Sequence, residues 1–272
     1  MCRALGSSKS GYYAWIGRFK SRREIENEIL LLEIKKIHKQ NDKNYGRIRI
    51  HEELKAQGKR CNIKRVARLM KENNIRAKTK RKFRVTTHSK HDHPISENLL
   101  HKEMVVTEPN KVWVSDITYI LTEEGWLYLS VIIDLCSRHV VGWSMKDRLT
   151  RDLVIDAFNQ AATYRKPAPG LIFHSDRGVQ YACNDFRKVL AVHKCISSMS
   201  GKGNCYDNAW SESFFKTLKT ELVYFRRYRT REEAKSSVFE YIEMYYNRVR
   251  RHSAIGYLSP AMFEQQLCQR AA

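Results

Sequence analysis

The chain contains 272 residues, of which 42% are hydrophobic, and it carries a formal net charge of +21. This length and apolar content exclude a disordered chain and allow one large domain or two modest ones. The sequence has neither a run of ~20 apolar residues nor a hydrophobic signal core at its start, so we expect a cytoplasmic, nucleoid-associated protein with no membrane partner.

The cysteine and histidine patterns argue against a disulfide framework and against a zinc site. The seven cysteines are scattered, odd in number and never spaced as Cys-x-x-Cys. Three histidines cluster at His88–His93, but no paired cysteines lie near them to complete a zinc ligand set. We interpret this histidine cluster as part of a polar linker.

The charge is distributed unevenly along the chain. Residues 1–100 contain 26 Lys and Arg against 10 Asp and Glu, whereas residues 101–272 contain 24 against 19. A strong positive charge favours a polyanionic partner, because neutralised phosphates release condensed counterions. The basic first part and the nearly balanced remainder therefore indicate two domains with different tasks.

After an N-terminal segment, 1–21, residues 22–84 are predicted to form a helix-turn-helix DNA-binding domain. Helices are expected at 22–40, Arg47–Gln57 and Ile63–Asn73, the last capped by Asn62. In the first helix the apolar residues at roughly helical spacing are Ile25, Ile29, Leu32, Ile34 and Ile37. An ordinary helical hairpin with a solvated basic face would produce a similar pattern.

The third of these helices carries the residues predicted to contact DNA. They are Lys64, Arg65, Arg68 and Lys71, on the face opposite its apolar residues. The surrounding segment, Lys59–Arg84, holds 12 basic residues and a single acid, Glu72. Solvated faces usually mix charges of both signs, so this bias favours contact with double-stranded DNA.

A polar linker at 85–110 is predicted to lead into a second domain with a core at 111–222 and a C-terminal helical extension at 223–272. Three consecutive segments rich in β-branched and aromatic residues read as antiparallel strands. These strands are expected at Val112–Ile120, Trp126–Leu135 and Arg138–Met145. Two shorter strands and four helices follow, namely Leu171–His174 and Ile196–Met199, and Arg151–Tyr164, Asn184–Val192, Ala209–Glu221 and Arg231–Asn247. This order predicts an α/β fold with a mixed sheet flanked by helices, as in a ribonuclease-H-like core.

Three acidic residues are the candidate catalytic and metal-binding residues. Asp116 interrupts an apolar strand, Asp176 directly follows the fourth strand, and Glu212 lies in the first turn of a helix. A carboxylate in an apolar strand is costly to bury unless it is paired or bound to a metal. If the first and fourth strands are neighbours, the three carboxylates can converge on Mg²⁺, which prefers oxygen ligands. Two such ions ~4 Å apart would support in-line phosphoryl transfer.

Several motifs occur in order with matching gaps. They are Trp-x-x-Asp-Ile-Thr-Tyr at Trp113–Tyr119, Gly-Trp-Leu-Tyr-Leu at Gly125–Leu129, Ile-Asp-Leu-x-Ser-Arg at Ile133–Arg138, His-Ser-Asp-x-Gly-x-Gln-Tyr at His174–Tyr181, and Asp-Asn-Ala-x-x-Glu at Asp207–Glu212. Asp176 and Glu212 are separated by 35 residues. In these features the chain resembles the OrfB-type insertion-sequence transposases of the DDE superfamily, which includes retroviral integrases. A helix-turn-helix stands where retroviral integrases carry a zinc domain.

The resemblance implies a transposase that cleaves and joins DNA at transposon ends. It implies Asp116, Asp176 and Glu212 as catalytic ligands of Mg²⁺, with Mn²⁺ as a substitute and two ions per site. It implies contact of Lys219 with the phosphate beside the scissile bond, and Lys216 shares that helical face. Expected partners are transposon-end and target DNA, the protein of an upstream reading frame or its fusion, and further copies of the chain on DNA.

Other interpretations stay open from the sequence. One is a catalytically inactive DNA-binding regulator derived from a transposase. Another is a tyrosine recombinase, since Arg, His and Tyr residues cluster at Arg250–Tyr257. Asp134 is a possible fourth metal ligand, although its position favours a role in a turn. Arg250, Arg251 and His252 are either DNA contacts or structural residues at a helix end.

Overall fold

The computed structural model describes residues 2, 6, 8–78, 96–100, 106–201 and 209–271. The chain divides into two compact units, 1–78 and 79–272. Among the described helices, none is both long enough and apolar enough to cross a membrane. The histidine cluster predicted as linker lies outside the described residues, as do Asp207 and Asn208, which begin the Glu212 motif.

The described residues of the first unit form four helices. They are α1 (Lys9–Ile16), α2 (Arg22–Gln40), α3 (Arg47–Ala56) and α4 (Ile63–Glu72). Helix α2 begins at a capping box, in which the side chains of Ser21 and Glu24 each accept a hydrogen bond from the other residue's backbone N–H. Asn62 caps α4 by accepting a hydrogen bond from the backbone N–H of Lys64 at 2.8 Å. The caps explain why these two helices begin where they do.

The apolar residues predicted for the first long helix lie on two sides of it. Ile34 and Ile37 are buried together with Leu30, and they pack toward the core of the unit. Three others are exposed, namely Ile25 at 48%, Ile29 at 57% and Leu32 at 67%. With 100° between successive residues, these three lie roughly opposite the buried set. The predicted helix is present, and only one of its two apolar sides is buried.

The second unit contains a five-stranded sheet covered by helices. Its strands are β1 (Val112–Thr122), β2 (Gly125–Asp134), β3 (Val140–Lys146), β4 (Ile172–Ser175) and β5 (Ile196–Met199). Its helices are α5 (Arg151–Arg165), α6 (Val179–Ala182), α7 (Asn184–Val192), α8 (Ala209–Glu221), α9 (Arg231–Phe239) and α10 (Pro260–Ala271). The strand order is β3-β2-β1-β4-β5, with β1, β2 and β3 antiparallel and with β4 and β5 parallel to β1. The predicted mixed α/β sheet is confirmed.

Alternating residues of β1 serve two separate cores. Val112 and Val114 belong to a cluster that includes residues of α8 and α9. Trp113, which is fully buried, belongs to a second cluster formed with α5 and α7. Because successive strand side chains point to opposite faces, the even-numbered Asp116 shares the face covered by α8. The fold thus sets the first acid opposite the helix that carries Glu212.

Two elements differ from their predicted form. The third strand begins at Val140 rather than Arg138, because Arg138 adopts a left-handed conformation with φ of 63° in the turn after β2. The predicted single helix from Arg231 to Asn247 is α9 followed by a π-helix at Glu240–Tyr246. The wider turn keeps Tyr241, Ile242 and Tyr246 buried in the core.

Residues 96–100, from the segment predicted as linker, lie along the edge strand β5. The backbone N–H of Leu99 donates to Ser198 Oγ at 2.9 Å, and Ser96 Oγ donates to Ser197 Oγ at 2.9 Å. Leu100 is 3% exposed and belongs to the α8-side core. This stretch is therefore attached to the packed sheet.

The contact between α5 and β3 depends on a glycine. A Cβ at Gly142 would lie 2.4 Å from the carbonyl oxygen of Ala157 and 2.7 Å from the Cβ of Ala161. We expect Gly142→Ala to lower the free energy of unfolding by about 1–3 kcal/mol, because overpacking must push α5 from the sheet. Chemical denaturation followed by circular dichroism measures this change.

Gly11→Ala is the matched control, since a Cβ there meets only the side chain of Ser8 at 3.7 Å. Its stability should be unchanged or slightly increased. Equal stabilities of the Gly142→Ala and wild-type proteins would contradict the described packing.

Candidate active site

Strands β1 and β4 bring two of the predicted acids to the same level of the sheet. The two strands are parallel neighbours, and Val114 pairs with His174. Asp116 and Asp176 each come two residues later. The two carboxylates therefore leave adjacent strands side by side.

Each aspartate is held by a backbone N–H. Asp116 Oδ1 accepts a hydrogen bond from the N–H of Ile117 at 2.8 Å, and Asp176 Oδ1 accepts one from the N–H of Gly178 at 2.9 Å. A Cβ at Gly178 would lie 3.0 Å from Asp176 Oδ1. The glycine of the Asp-x-Gly motif therefore lets the carboxylate approach the backbone closely.

The charges around Asp116 make its ionised form unfavourable. Its pKa is raised well above the ordinary 3.8, chiefly by burial and then by the negative charge of Asp176. Glu212 raises the pKa further, whereas the hydrogen bond from Ile117 and the charge of Lys219 lower it. The two aspartates repel each other, and the surrounding protein compensates only part of that repulsion.

Glu212 stands in the first turn of α8 with an exposed side chain. Partial burial raises its pKa, and its charge acts on Asp116 less strongly than that of Asp176. Within the described ranges, no three His, Cys, Asp or Glu side chains are gathered closely enough to hold a metal ion. The structure thus forms a close aspartate pair with Glu212 nearby.

The two lysines that follow Glu212 have different environments. Lys219 is only 5% exposed, and its Nζ lies 5.0 Å from the centre of the Tyr119 ring. Burial lowers the pKa of Lys219 to about 8, although the nearby charge of Asp116 raises it. Lys216 is exposed. Of the two, Lys219 is the one placed beside the aspartate pair.

Helix α8 is fixed by its apolar face and by its C-terminal end. Phe214 and Leu218 are buried against the sheet. At the end of the helix, the carboxylate of Glu221 accepts hydrogen bonds from Arg250 Nη2 at 2.8 Å, from Arg250 Nε at 2.9 Å and from the hydroxyl of Tyr241 at 2.9 Å. These hydrogen bonds connect the helix that carries Glu212 and Lys219 to the C-terminal extension.

Three matches to known domain families cover most of the chain. An HTH-like domain matches residues 24–83, and an integrase core domain matches residues 106–205 and 212–267. The chain is 46% identical over 272 residues to the insertion element IS600 uncharacterized 31 kDa protein of Shigella sonnei, covering 100% of both chains. It is 43% identical over 269 residues to the transposase InsF for insertion sequence IS3A of Escherichia coli K12, covering 98% of this chain and 93% of the relative.

The chain belongs to the IS3 family of insertion-sequence transposases. It is a DNA transposase with a ribonuclease-H-like integrase core, as the five-stranded sheet order and the domain matches show together. The transposase prediction is confirmed, and the inactive regulator is not favoured.

Solved structures similar to this transposase are retroviral. The simian T-cell lymphotropic virus intasome in complex with a PP2A regulatory subunit is 14% identical, with a TM-score of 0.49, over 85% of this chain and 73% of the other. The BIV integrase catalytic core is 16% identical, with a TM-score of 0.45, over 60% and 99%. The HTLV-2 integrase catalytic core in complex with magnesium is 17% identical, with a TM-score of 0.44, over 57% and 96%.

In the transposase, Arg250 is a structural residue. Its side chain is almost fully buried in the ion pair with Glu221, and its exposed fraction is 4%. A recombinase arginine must reach a DNA phosphate, so this burial argues against the tyrosine recombinase. The motif that begins at Asp207 continues to a Leu-Lys-x-Glu end at Glu221, but the sequence alone indicated no role for this glutamate.

Asp134 closes the turn after β2. Its carboxylate accepts hydrogen bonds from the backbone N–H groups of Asn110, Cys136 and Ser137 at 2.6 to 3.0 Å. The residue is fully buried. These three backbone donors account for its charge, so Asp134 has the turn role rather than that of a fourth metal ligand.

The helix-turn-helix residues predicted to contact DNA do not all face outward. Lys64, Arg68 and Lys71 are exposed, and Arg68 lies 3.7 Å from Glu72 one turn later. Arg65 instead turns toward α2, where its Nε donates to Asn27 Oδ1 at 2.7 Å. Arg65 therefore joins two helices of the unit, which the basic pattern of α4 alone did not indicate.

The raised pKa of Asp116 has a consequence for stability. The folded protein keeps the proton of Asp116 at pH values where the unfolded chain releases it, so this group stabilises the fold fully below pH 3.8 and loses that effect as pH rises through the raised pKa. In metal-free protein at neutral pH, we expect Asp116→Asn to raise Tm by a few degrees, since ~1 kcal/mol shifts Tm by ~2–4 °C at this size.

Thermal denaturation in EDTA at pH 7 and at about pH 4 measures the effect, which should shrink at the lower pH. Asp134→Asn is the control, because its carboxylate has three backbone donors and its loss should lower Tm. A lower Tm for Asp116→Asn at neutral pH would contradict the repulsion between the aspartates.

Proposed function

We propose that Asp116, Asp176 and Glu212 are the catalytic acids of the transposase and the ligands of two Mg²⁺ ions, for which Mn²⁺ can substitute. The observation that carries this proposal is the pair of Asp116 and Asp176 on adjacent strands, where burial and then the charge of Asp176 raise the pKa of Asp116. A bound cation would remove the repulsion between these carboxylates. Three carboxylates and no thiolate or imidazole form the donor set that Mg²⁺ and Mn²⁺ prefer.

The charges around the three acids also favour such ions. Lys219, whose positive charge acts on Asp116, is itself mostly buried and has a lowered pKa. One positive charge does not balance three carboxylates. Glu212 is exposed on the first turn of α8, so its side chain can turn toward the aspartates without unpacking the helix. When bound, the ions would stabilise the attacking and leaving oxygens of a phosphoryl displacement.

The residues then have distinct tasks. Asp116, on which the charges of both Asp176 and Glu212 act, would hold the two ions together with those two acids. Lys219 would hold the phosphate next to the scissile bond, because its ammonium group lies on the aspartate side of α8. In this scheme no side chain forms a covalent bond to DNA. The products are cleaved and joined ends of the insertion sequence.

The substrate we propose is double-stranded DNA, both transposon ends and target. The exposed Lys64, Arg68 and Lys71 on α4 and the exposed Lys216 on α8 would contact phosphates. Arg65 would stabilise the position of α4 through its hydrogen bond to Asn27 on α2. Two transposon ends must be held together, so we infer a homo-oligomer on DNA, acting at the nucleoid with an upstream-frame protein or as its fusion.

Replacing Asp176 tests the catalytic assignment. We expect Asp176→Asn to reduce nicking and joining of transposon-end oligonucleotides by about three orders of magnitude, since loss of a metal ligand removes several kcal/mol of transition-state stabilisation. Binding of the same oligonucleotides should remain. Gel assays with Mg²⁺ or Mn²⁺ measure both.

Asp185→Asn is the control, an acid on α7 whose partner is Arg151. It should keep wild-type activity. Loss of binding and folding in Asp176→Asn would make Asp176 structural. Tight binding by the wild-type protein without cleavage under either metal would favour the inactive regulator.

The two lysines of α8 should differ in effect. We expect Lys219→Gln to lower the rate of strand transfer by about 100-fold, the usual cost of removing one preorganised charge stabiliser. Lys216→Gln should cost at most about fivefold, because an exposed charge contributes ~1 kcal/mol or less. Single-turnover rates at saturating protein separate these values from DNA affinity. Equal losses for the two variants would refute the role given to Lys219.

A further inference from the structure

A buried tyrosine lies directly behind the aspartate pair. Tyr181 is on the short helix α6, five residues after Asp176, and it is 2% exposed. Its ring packs against Phe173 and Phe186, with centroids 6.4 and 5.9 Å away. Burial raises the pKa of its phenol, and the negative charges of Asp176 and Asp116 raise it further.

The hydroxyl of Tyr181 bonds to the strand that carries the other aspartate. Tyr181 Oη lies 2.9 Å from Ser115 Oγ, and Ser115 immediately precedes Asp116. Ser115 Oγ donates its proton to the carbonyl oxygen of Val131 on β2, at 2.9 Å. A serine hydroxyl has one proton, so Tyr181 must be the donor to Ser115. The bond therefore has a defined direction, from α6 into β1.

The same short segment also holds Asp176. The N–H of Gly178 donates to Asp176 Oδ1, and the carbonyl oxygen of Gly178 accepts a hydrogen bond from the N–H of Tyr181 at 2.9 Å. A continuous chain of hydrogen bonds thus runs from the Asp176 carboxylate through Gly178 and Tyr181 to Ser115. It reaches the residue next to Asp116 from the opposite face of the sheet.

We propose that Tyr181 is a positioning residue that sets the separation of Asp116 and Asp176, and thereby the affinity of the site for divalent cations. The proposal rests on the metal-binding role proposed above for these acids. The two aspartates repel each other, and β4 ends at Ser175, one residue before Asp176. The ladder between β1 and β4 therefore stops short of Asp176, and the Tyr181–Ser115 bond supplies a tie beyond its end.

The experiment compares Tyr181→Phe and Ser115→Ala with a matched control. Tyr181→Phe keeps the ring and removes only the hydroxyl. Tyr228→Phe is the control, since Tyr228 is also 2% exposed and its hydroxyl lies 3.2 Å from Ser237 Oγ, away from the acids. In the full-length protein without DNA, Mn²⁺ binding is measured by the electron paramagnetic resonance signal of the free ion, and Tm is measured in EDTA.

We expect Tyr181→Phe and Ser115→Ala each to raise the Kd for Mn²⁺ by about tenfold, the lower end of the usual effect of groups that orient metal ligands. Tyr228→Phe should lower Tm comparably and leave this Kd within about twofold of wild type. Saturating Mn²⁺ should restore strand transfer in Tyr181→Phe. The double variant Tyr181→Phe/Ser115→Ala should bind no more weakly than either single variant, because both changes break the same bond.

A wild-type Kd for Mn²⁺ in folded Tyr181→Phe and Ser115→Ala would overturn the positioning role and leave the metal site intact. An Asp116→Asn protein measured alongside separates the two proposals. If Asp116→Asn also binds Mn²⁺ like the wild-type protein, the proposed metal site itself fails.

Discussion

The parallel pairing of β1 with β4 is the constraint on which the site depends. It places Asp116 and Asp176 side by side, where their charges repel and the pKa of Asp116 rises. A protein seldom keeps such an arrangement for stability, because two adjacent carboxylates cost free energy near neutral pH. The repulsion is instead consistent with a site built to receive cations and a DNA phosphate, as the membership of the IS3 transposase family supports.

The rest of the second unit holds this unfavourable pair in place. On one face, α8 presents Lys219 to the aspartates and is tied at its end by the Glu221–Arg250 ion pair. On the other face, Tyr181 connects the Asp176 segment with β1. Because the buried ion pair has a bidentate geometry and a further donor in Tyr241, breaking it would leave a charge without compensation in the core. The scaffold thus surrounds the acids with contacts that resist their separation.

Much of the fold and the positions of the three acids could be predicted, because they depend on local patterns. The strand residues around Asp116 and the Asp-x-Gly turn after the fourth strand can both be recognised from the sequence. Contacts between distant elements could not be predicted. The exposed Ile25, Ile29 and Leu32 on α2 match the buried residues in polarity, and only packing separates the two sets. Likewise, the sequence leaves both a DNA contact and a structural role open for Arg250, and the fold decides between them by bringing Glu221 to it, 29 positions away along the chain.

The most direct test of the account is to locate the bound cation. A crystal of the full-length protein soaked in Mn²⁺ should show an anomalous-scattering peak within metal–oxygen bonding distance, about 2.0–2.3 Å, of carboxylate oxygens of both Asp116 and Asp176. Asp116→Asn crystals treated in the same way should lose that peak. Manganese bound elsewhere in the chain, with none between the two aspartates at saturating concentration, would contradict the account.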